Sequence, residues 1–333
     1  MKKKIAVLTS GGDAPGMNAA IRACVLACEH FEFEVLGIYH GYNGLINQEF
    51  TPLTPTSVRN IIHKGGTLLK SARCPAMLNE QGVKQAVSTL LKEDIDALVV
   101  IGGDGSFNGL LAIKEHWHGN VIGIPGTIDN DLDGTDNTIG FATAVNTGIE
   151  AIDKIRDTAD AFERVFIVEL MGRHSGHITF NVGVACGVEK ILSFENFSEQ
   201  VQQQCLTEIS KEIIIAKQQR HQSYIIAIAE NLWPEGTTKF AEQLSVVTNI
   251  DCTPCILGHI QRGGNPVARD RILATKMGVA AIQAIANGGT GIMIGENHEQ
   301  MVSIPLIDAI QHNKQVSPTL INAQNNLLAL NAN

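Results

Sequence analysis

The sequence predicts an α/β protein with mainly parallel β-sheets that are covered by helices on both faces. Short apolar runs alternate with helix-like segments over most of the chain, and glycine-rich turns follow several of those runs. A parallel strand needs a crossover connection, usually a helix, so this alternation is typical of parallel sheets. The chain has 333 residues, which exceeds the size that one hydrophobic core ordinarily serves, and we therefore expect two domains.

Apolar runs and helix-like segments define the predicted elements. Strands are predicted at 5–8, 35–39, 97–101, 121–124, 165–170 and 224–229. An amphipathic segment at 82–92 is predicted to lie between two of these strands. A helix is predicted over 198–217, with one face formed by Val201, Cys205, Ile209 and Ile213.

The bulk composition excludes several classes of protein. A net charge of −9 argues against a protein that coats nucleic acid or binds a membrane surface. The first apolar stretch is shorter than the roughly 7–15 residues of a signal-peptide core, and no run approaches the ~18 apolar residues of a membrane span. Seven scattered cysteines are an odd number, as expected of reduced thiols. We therefore expect a cytoplasmic protein that binds neither nucleic acid nor membrane.

Glycine-rich turns follow four of the predicted strands, at 11–16, 102–106, 125–134 and 171–176. Ligands of open α/β sheets lie beyond the carboxyl ends of the strands, so these turns predict one cleft lined by several loops. The first turn has glycines spaced as in a P-loop, but “MN” follows it where a P-loop has Lys and Ser or Thr. If this turn binds phosphate, the positive charge must come from elsewhere.

The turn “GGDGS” at 102–106 predicts a nucleotide and magnesium site. Gly102, Gly103 and Gly105 allow backbone N–H groups to face an anion, and the following helix adds the positive end of its dipole. Asp104 would repel a bare phosphate, but it suits a site in which Mg²⁺ lies between carboxylate and phosphate. The alternative is a tight turn in which Asp104 only caps the helix.

The loop “GTIDNDLDGTDN” carries a dense set of carboxylates, which are Asp129, Asp131, Asp133 and Asp136. Its first residues imitate a calcium loop, but Gly140 stands where the bidentate glutamate would be, so the calcium match fails. Phosphoryl transfer to a hydroxyl needs one carboxylate as proton acceptor and others to organise Mg²⁺. A solvated acidic turn explains the loop equally well.

Arginines stand beside several glycine turns. Arg73 follows “GGTLLKSA”, Arg173 lies in “MGRHSG”, and Arg262 follows His259 in “LGHIQRGG”. A planar guanidinium group can hold phosphate through two contacts. A single arginine is more often a surface residue, and a lone histidine is more often structural than catalytic. The repeated placement predicts that arginines from distant loops, together with Mg²⁺, neutralise the phosphates.

Five motifs, in this order, resemble those of bacterial ATP-dependent 6-phosphofructokinases. They read “LTSGGDAPGMNAAIR”, “IGGDGS”, “PGTIDND”, “MGRHSG” and “LGHIQRGGNP”, and the resemblance extends from Lys3 to about Asn313. Any single motif is weak, but five in register are highly specific. The resemblance implies two Rossmann-like three-layer αβα domains, a homotetramer and an active site between the domains. The ATP-binding domain would comprise 1–140 and 266–314, and the sugar-phosphate and effector-side domain 141–265 and 315–333.

The resemblance implies a reaction and the residues of its ATP side. The γ-phosphoryl group of ATP would pass to the 1-hydroxyl of D-fructose 6-phosphate in glycolysis, with ATP as co-substrate and Mg²⁺ as cofactor. Asp104 would serve the metal ion. The residues along ATP would be Gly11, Arg73, Cys74, Gly103, Asp104, Gly105 and Ser106.

The resemblance also implies the catalytic and sugar-binding residues. Asp129 would take the proton from the 1-hydroxyl, Thr127 and Arg173 would stabilise the moving phosphoryl group, and Gly11 would join this catalytic set. Asp131 would help to position the base or Mg²⁺. The sugar phosphate would be held by Met171, Gly172, Arg173, Glu230, His259 and Arg262, with Arg164 reaching in from a neighbouring subunit.

Two glycines bear on the phosphoryl donor. Pyrophosphate-dependent relatives tend to carry Asp at the position of Gly105 and Lys at the position of Gly126. A side chain at 105 would crowd the α-phosphate region, and a lysine at 126 would add charge that ATP does not need. Both glycines favour ATP.

The sequence departs from the family pattern at the sugar phosphate. Thr253 stands where the family has an arginine that binds the 6-phosphate across a subunit interface. The loss of one charge-assisted contact costs roughly 1.5–3 kcal/mol. We therefore expect weakened sugar-phosphate binding or compensation by another residue.

The family also has an effector site between subunits, where basic residues bind ADP or phosphoenolpyruvate. The residues that match this site are Arg22, Arg156 and Glu189. The residues that stand where basic ones are usual are Leu26, Pro55 and His221. A site with fewer cations holds a polyanion poorly, so we expect this allosteric response to be weak or absent.

Other functions compete with this interpretation. The donor would be pyrophosphate in one alternative, and the acceptor a sugar phosphate such as tagatose 6-phosphate in another, which Thr253 leaves open. A poorly catalytic nucleotide-binding subunit that assembles with an active partner is opposed by the intact Asp104, Thr127, Asp129 and Arg173. An NAD kinase-like activity would use “GGDG” and leave the other four motifs without a role.

Overall fold

The computed structural model describes residues 2–162, 164–219 and 223–331. Its strands, in chain order, are β1 (Lys4–Thr9), β2 (Glu34–Ile38), β3 (Phe50–Pro52), β4 (Ala97–Gly102), β5 (Asn120–Thr127), β6 (Ile139–Gly140), β7 (Val165–Leu170), β8 (Lys190–Leu192), β9 (Tyr224–Ala229), β10 (Cys252–Ile256), β11 (Ile292–Asn297) and β12 (Gln300–Pro305). Its α-helices are α1 (Met17–His30), α2 (Gly41–Asn47), α3 (Glu80–Lys92), α4 (Asp104–His116), α5 (Phe141–Phe162), α6 (His177–Ala185), α7 (Gln202–Gln218), α8 (Thr237–Thr248), α9 (Ala268–Ala286), α10 (Leu306–Ala309) and α11 (Pro318–Asn331). Short 3₁₀ helices lie at Pro75–Leu78, Glu199–Val201 and Gly258–Arg262.

The described residues form two compact units. The first unit contains 2–128, 132–143 and 262–314, and the second contains the described residues of 129–131, 144–261 and 315–333. The segment 129–131 therefore belongs to the second unit, although the chain on both sides of it belongs to the first. The predicted domains assign 129–131 to the first domain and assign 141–143 and 262–265 to the second, so the two divisions differ at these three segments.

The first unit is built on an eight-stranded sheet in the order β12-β11-β5-β4-β1-β2-β3, with β6 paired to β5. The pairs among β11, β5, β4, β1 and β2 are parallel. The antiparallel strands β3 and β12 form the two edges. Every residue of β4 is buried, as expected for a central parallel strand that helices cover on both faces.

The strand order of the first sheet reverses direction at β1. From β1 the chain continues to β2 on one side, and β4 then pairs with β1 on the other side. Such a reversal leaves a crevice beyond the carboxyl ends of the two strands, where ligands of open α/β sheets bind. The turns 11–16 and 102–106 follow these two strand ends.

The second unit is built on a four-stranded parallel sheet in the order β10-β7-β9-β8. Its core includes Ile209 and Ile213 from α7 and Phe240 from α8. The strand order reverses between β7 and β10, so the turn 171–176 after β7 and the segment after β10 share the carboxyl edge of the sheet.

The predicted elements are present, with small changes in their bounds. All six predicted strands are found, and β7 and β9 have the predicted ends. The helix predicted over 198–217 begins at Gln202, because Glu199–Val201 forms a separate 3₁₀ turn. Ile209 and Ile213 are fully buried, whereas Val201 is 38% exposed, because the 3₁₀ turn takes it out of helical phase with them.

The α/β fold class with mainly parallel sheets is confirmed. In the part of the chain that the structure describes, none of the helices has the length and apolar character needed to cross a membrane.

Candidate active site

The turn after β1 combines a left-handed glycine with an arginine from much later in the chain. Gly11 has φ +82°, which favours glycine, and its carbonyl accepts a hydrogen bond from Ser71 Oγ at 2.5 Å. A Cβ at Gly12 would lie 2.6 Å from Arg262 Nη1, and this nitrogen donates to the Asp13 carbonyl at 3.2 Å. Within the first unit, the predicted residues Gly11 and Arg262 are therefore brought together, and a cationic group lies directly against the turn.

The turn after β4 is closed by contacts that only glycine permits. A Cβ at Gly102 would lie 2.5 Å from Ser106 Oγ and 2.7 Å from the Ser10 carbonyl oxygen. A Cβ at Gly105 would meet no atom within 4 Å, so this glycine leaves open space in front of the turn. The Ser106 carbonyl accepts a hydrogen bond from the hydroxyl of the buried Tyr42 at 2.6 Å. Burial raises the pKa of Tyr42, which keeps this hydroxyl a donor.

Asp104 lies in the first turn of α4, directly after the glycine pair. The N-cap position is Gly103, so Asp104 is not the capping residue that the alternative interpretation requires. Asp104 Oδ2 lies 3.4 Å from His312 Nε2. A carboxylate at the head of a helix whose N–H groups face outward suits a metal–phosphate pair.

The residues Arg73 and Cys74 follow a loop that is anchored on α1. Asn18 of α1 donates from Nδ2 to the carbonyls of Lys64 and Gly65 at 3.1 Å. The Arg73 carbonyl accepts a hydrogen bond from Asn43 Nδ2 at 2.9 Å, and Cys74 packs half-buried against the core of the first unit. These contacts fix the backbone that carries the Arg73 side chain.

Thr127 is the last residue of β5, and hydrogen bonds hold both its carbonyl oxygen and the nearby segment 140–143. It is 7% exposed, and its carbonyl accepts a hydrogen bond from Thr138 Oγ1 at 2.6 Å. The carboxylate of Asp270, 1% exposed, accepts from the backbone N–H of Gly140 at 2.9 Å and from that of Thr143 at 2.7 Å. Burial outweighs these neutral hydrogen bonds and raises the pKa of Asp270.

Two carboxylates of the acidic loop have structural partners. Asp133 Oδ2 accepts a hydrogen bond from the Asn313 backbone N–H at 3.0 Å, and Asp136 Oδ2 accepts one from that of His298 at 2.7 Å. Both bonds fasten the loop to the C-terminal part of the first unit. Asp129 and Asp131 of the same loop belong instead to the second unit.

Gly126 precedes Thr127 at a position without room for a side chain. A Cβ there would lie 2.9 Å from Ile101 Cγ2 and 3.1 Å from Met17 Cε, and both of these side chains are fully buried. The branched Ile101 cannot move aside as the end of a flexible side chain does. A lysine at this position would therefore require the Ile101 side chain to shift.

In the second unit, Asp129 lies against the turn 171–176. Asp129 is 7% exposed, and its carbonyl accepts a hydrogen bond from Ser175 Oγ at 2.9 Å. The same hydroxyl lies 3.0 Å from the Gly172 carbonyl, which also accepts from the Ser175 backbone N–H at 3.0 Å. A single serine thus joins the residue predicted as the base to the turn predicted to hold the sugar.

Three side chains from elsewhere in the second unit hold the backbone of the turn 171–176. Glu230 Oε1 accepts hydrogen bonds from the N–H groups of Gly172 and Arg173 at 3.0 and 2.7 Å. Gln261, fully buried, accepts through Oε1 from the Met171 N–H at 2.8 Å. These acceptors keep Arg173 in the left-handed region, with φ +60°, which is uncommon outside glycine.

A third acceptor closes the end of the same turn. Glu195 Oε1 accepts from the Gly176 N–H at 3.1 Å, and its Oε2 accepts from Ser193 Oγ at 2.5 Å. A Cβ at Gly176 would lie 2.0 Å from Glu195 Oε2, so a larger residue there would displace this carboxylate. Side-chain acceptors therefore hold the backbone of the turn from Met171 to Gly176.

Comparisons with known proteins bear on the motifs and the fold together. A family model described as “Phosphofructokinase” matches residues 4–285. A Thermus thermophilus protein named “ATP-dependent 6-phosphofructokinase 1” is 46% identical over 320 residues, which cover 96% of this chain and 97% of that protein. A Bacteroides thetaiotaomicron protein named “ATP-dependent 6-phosphofructokinase 2” is 45% identical over 321 residues, with the same two coverages of 96% and 97%. This chain belongs to the phosphofructokinase family.

Solved structures of the family share this fold. A chain of the phosphofructokinase from Saccharomyces cerevisiae superimposes with a TM-score of 0.85 at 33% identity, covering 98% of this chain and 47% of that one. This chain therefore spans about half the length of the yeast chain. A pyrophosphate-dependent phosphofructokinase from Nitrosospira multiformis has a TM-score of 0.82 at 18% identity, over 95% of this chain and 86% of that one. The resemblance drawn from the motifs is confirmed at the level of family and fold.

The departure at Thr253 and the predicted sugar-binding residues His259 and Arg164 also have defined places. Thr253 lies half-buried in β10, opposite Phe166 of β7. His259 is exposed on the 3₁₀ helix that follows β10. Arg164 lies with Nε 3.6 Å from Asp251 Oδ2 and with its guanidinium carbon 4.8 Å from the centre of the Phe162 ring.

The predicted effector residues of this phosphofructokinase are divided between the two units. In the first unit a pocket of about 320 Å³ is lined by Arg22, Leu26, Pro55, Arg59 and His63, among others. The motifs did not indicate the last two, which add basic side chains to this pocket. His221 lies outside the described residues.

The two effector residues of the second unit interact with each other. Arg156 Nη1 lies 3.0 Å from Glu189 Oε1, and Glu189 Oε2 accepts from the Ile225 N–H at 2.7 Å.

Several residues that shape the candidate site were missed in the sequence. They are Ser71, Ser175, Glu195, Gln261 and Asp270. Ser175 and Gln261 lie inside recognised motifs, which is a signal in principle, but nothing in their residue type indicates a bond to a particular backbone atom. Glu195 and Asp270 lie outside the glycine turns and carry no local signal.

Proposed function

We propose that this chain transfers the γ-phosphoryl group of ATP to the 1-hydroxyl of fructose 6-phosphate, giving fructose 1,6-bisphosphate and ADP. The observation that carries the proposal is the near full-length match to bacterial proteins named ATP-dependent 6-phosphofructokinase, with the five motifs intact. The geometry supports it, because the motif turns follow the carboxyl ends of strands next to the reversal of each sheet.

The first unit supplies the ATP side of the proposed reaction. Gly11, Arg73, Cys74 and the Gly103–Ser106 turn would line ATP, and the open space at Gly105 supports room for a nucleotide there. The N–H groups at the start of α4 would face its phosphates. On this basis the ATP-binding domain is the first unit and the sugar-phosphate domain is the second.

In the proposed reaction, Asp129 accepts the proton of the sugar 1-hydroxyl while the hydroxyl oxygen forms the bond to the γ-phosphorus. The bond from that phosphorus to the bridging oxygen of ADP breaks, and ADP leaves with the electron pair. Thr127 and Arg173 would donate hydrogen bonds to the phosphoryl oxygens as charge spreads over them. Asp131 would help to orient the base.

The second unit would hold the sugar phosphate. The contacts would come from Met171, Gly172, Glu230 and His259. Further contacts would come from Arg262 of the first unit and from Arg164 of a neighbouring subunit. Glu230 contributes an oxygen that already accepts two backbone N–H bonds, so its carboxylate is fixed in orientation. Thr253 cannot supply the charge of an arginine, which supports a weaker hold on the 6-phosphate.

Mg²⁺ would be held by Asp104 together with the ATP phosphates and water. In the described part of the chain, no three His, Cys, Asp or Glu side chains are grouped to bind a metal ion. A single carboxylate fits this ion, because kinase Mg²⁺ is commonly bound by one or two carboxylates and substrate phosphates. When bound, Mg²⁺ neutralises charge on the phosphates.

The proposal also covers assembly, location and regulation. The protein would act in the cytoplasm as a homotetramer, in keeping with the family resemblance. ADP or phosphoenolpyruvate would act weakly at Arg22, Arg156 and Glu189, because Leu26 and Pro55 carry no charge.

The experiment that tests the proposal measures phosphoryl transfer to fructose 6-phosphate by the purified protein with Mg²⁺. ATP and pyrophosphate are compared as donors, and tagatose 6-phosphate as a second acceptor. We expect turnover with ATP and fructose 6-phosphate, and a fall in kcat of about 10²–10⁴-fold in Asp129→Asn. Asp133→Asn is the matched control, because it makes the same change in the same loop at a carboxylate bound to the Asn313 N–H.

The alternatives give different results in this experiment. Turnover with pyrophosphate alone would make the donor wrong, and preference for tagatose 6-phosphate would make the acceptor wrong. Binding of ATP without turnover would support the non-catalytic subunit. An equal loss in both asparagine variants would exclude Asp129 as the specific base.

A further inference from the structure

The hydroxyl of Ser175 lies between two carbonyl oxygens that belong to different parts of the candidate site. Ser175 Oγ is 2.9 Å from the Asp129 carbonyl and 3.0 Å from the Gly172 carbonyl. It carries one proton, so the two oxygens share a single donor. Asp129 and Ser175 are 46 residues apart in the chain, and this bond closes that separation.

The turn that carries Ser175 is fixed independently of Asp129. Glu230 accepts from Gly172 and Arg173, Gln261 accepts from Met171, and Glu195 accepts from Gly176. With its backbone held at both ends, the turn provides a rigid reference for whatever Ser175 binds.

The segment that carries Asp129 is short and belongs to the second unit. Residues 129–131 belong to that unit, whereas 128 and 132 belong to the first. A segment of three residues has little secondary structure of its own to set the direction of its side chains. The hydrogen bond from Ser175 directly links this segment to the turn 171–176.

We propose that Ser175 is a positioning residue that aligns the general base Asp129 with the sugar-binding turn, so that base and sugar share one reference. This rests on the proposed function. The hydroxyl acts through the backbone oxygen of Asp129, to which it donates. Its effect is exerted on the direction of the carboxylate relative to the 1-hydroxyl of the sugar.

Loss of this bond acts mainly on the chemical step. A displacement of a catalytic group by about 1 Å can cost 10²-fold in rate, while the turn itself stays in place through its three other acceptors. We therefore expect kcat to fall roughly 10- to 100-fold in Ser175→Ala. The KM values for ATP and for fructose 6-phosphate are expected to change little.

The experiment compares steady-state kinetics of the full chain, Ser175→Ala, Ser175→Thr and Ser210→Ala. Ser175→Thr keeps the hydroxyl and is expected to recover most of kcat. Ser210→Ala is the matched control, because Ser210 is buried in α7 and its hydroxyl has no hydrogen-bond partner among the described residues. Each variant is also made in the Asp129→Asn background, and thermal unfolding checks that each is folded.

A double-variant cycle separates positioning from a structural role. If Ser175 acts through the base, Ser175→Ala lowers kcat in the unchanged protein but has no further effect once Asp129 is Asn. An unchanged kcat in Ser175→Ala overturns the proposal. So does an equal fall in the Asp129→Asn background, or an effect confined to the KM for fructose 6-phosphate.

The same assay distinguishes failure of this proposal from failure of the proposed function. Without turnover in the unchanged protein, the proposed function fails and this proposal falls with it. With full turnover and an unaffected Ser175→Ala variant, only the positioning role is overturned.

Discussion

The turns of the first unit and the turn 171–176 of the second unit are shaped by different means. After β1 and β4, glycines at 11, 12 and 102 allow the chain to pass close to neighbouring atoms. After β7, the side chains of Glu195, Glu230 and Gln261 accept the backbone N–H groups and hold the turn from behind.

This difference shows how each turn is suited to its proposed ligand. Turns built by close packing leave their outward N–H groups and the helix end available to a polyphosphate. A turn built on carboxylates carries negative charge close to its backbone, which suits sugar hydroxyls better than phosphate and leaves arginines to hold the 6-phosphate. The two constructions respond differently to substitution.

The largest effect on substrate binding is expected when the carboxylate that holds the middle of the turn 171–176 is removed. Glu230→Ala leaves the N–H groups of Gly172 and Arg173 without this acceptor and removes a proposed sugar contact. Since a hydrogen bond to a charged group contributes about 1.5–3 kcal/mol, we expect the KM for fructose 6-phosphate to rise about 10- to 100-fold. Steady-state kinetics check this, with the exposed Glu208→Ala of α7 as control. Equal KM values would break the comparison.

A smaller effect, on stability, is expected from a methyl group in the first-unit turn. Gly102→Ala places a Cβ 2.7 Å from the Ser10 carbonyl oxygen, a backbone atom that cannot move aside easily. We expect the free energy of unfolding to fall by about 1–3 kcal/mol, measured by urea denaturation. Gly105→Ala makes the same change where the Cβ meets open space, and it is expected to alter stability by less than about 1 kcal/mol. Equal losses in the two variants would show that close packing is not the cause.

A pH-dependent effect sharpens the comparison, because the first unit also contains a buried carboxylate, which binds two basic side chains. Glu296 binds Arg269, and its Oε1 lies 2.6 Å from Lys276 Nζ. Burial works to raise the pKa of Glu296, but the bond to Lys276 and the charge of Arg269 outweigh it and hold the pKa below its usual range. The folded state then binds fewer protons than the unfolded state as the group titrates, so this stability is present above the unfolded pKa and is lost as the pH falls through the folded pKa.

Urea denaturation of the unchanged protein and of Glu296→Gln, from pH 7 downwards, checks this sign. We expect the unchanged protein to be more stable at pH 7 and the difference to shrink below about pH 4.3, the ordinary pKa of glutamate. A difference that grows towards acid pH would contradict the assignment.

The smallest effect is expected at the pocket of the first unit. Because Leu26 and Pro55 carry no charge, ADP or phosphoenolpyruvate is expected to change the KM for fructose 6-phosphate by less than about fivefold, the low end of ordinary allosteric coupling. Titration of either ligand measures this. A larger change would mean that Arg59 and His63 replace the missing cations, and Arg59→Ala would then abolish it.

The strands and the glycine turns were predictable because their causes are local. Apolar runs of four to six residues indicate buried parallel strands, and β7 and β9 have the predicted ends. The tight turn at Gly102 could be predicted from the sequence, because glycine allows the close approach of neighbouring atoms that this turn requires.

The supports of the site were not predictable because they join distant residues. Gln261 reaches Met171 across 90 positions and Glu230 reaches Gly172 across 58, and neither glutamine nor glutamate announces a backbone partner. The prediction for Val201 was wrong for a local reason. The helical spacing was extended into a 3₁₀ turn, where the Val201 side chain is exposed. Judged by its position along the chain alone, the segment 129–131 is assigned to the domain of the strand before it, whereas it belongs to the second unit.

The tight space around Gly126 limits how the phosphoryl donor of this enzyme can be redesigned. A lysine introduced there would meet Ile101 Cγ2 at 2.9 Å from its first carbon, inside the closed core of the first unit. The exchange would therefore begin with a smaller residue at 101, which opens a cavity and lowers stability before any benefit appears. The order of mutational steps is thus set by packing, and a direct one-step route to another donor is closed at this position.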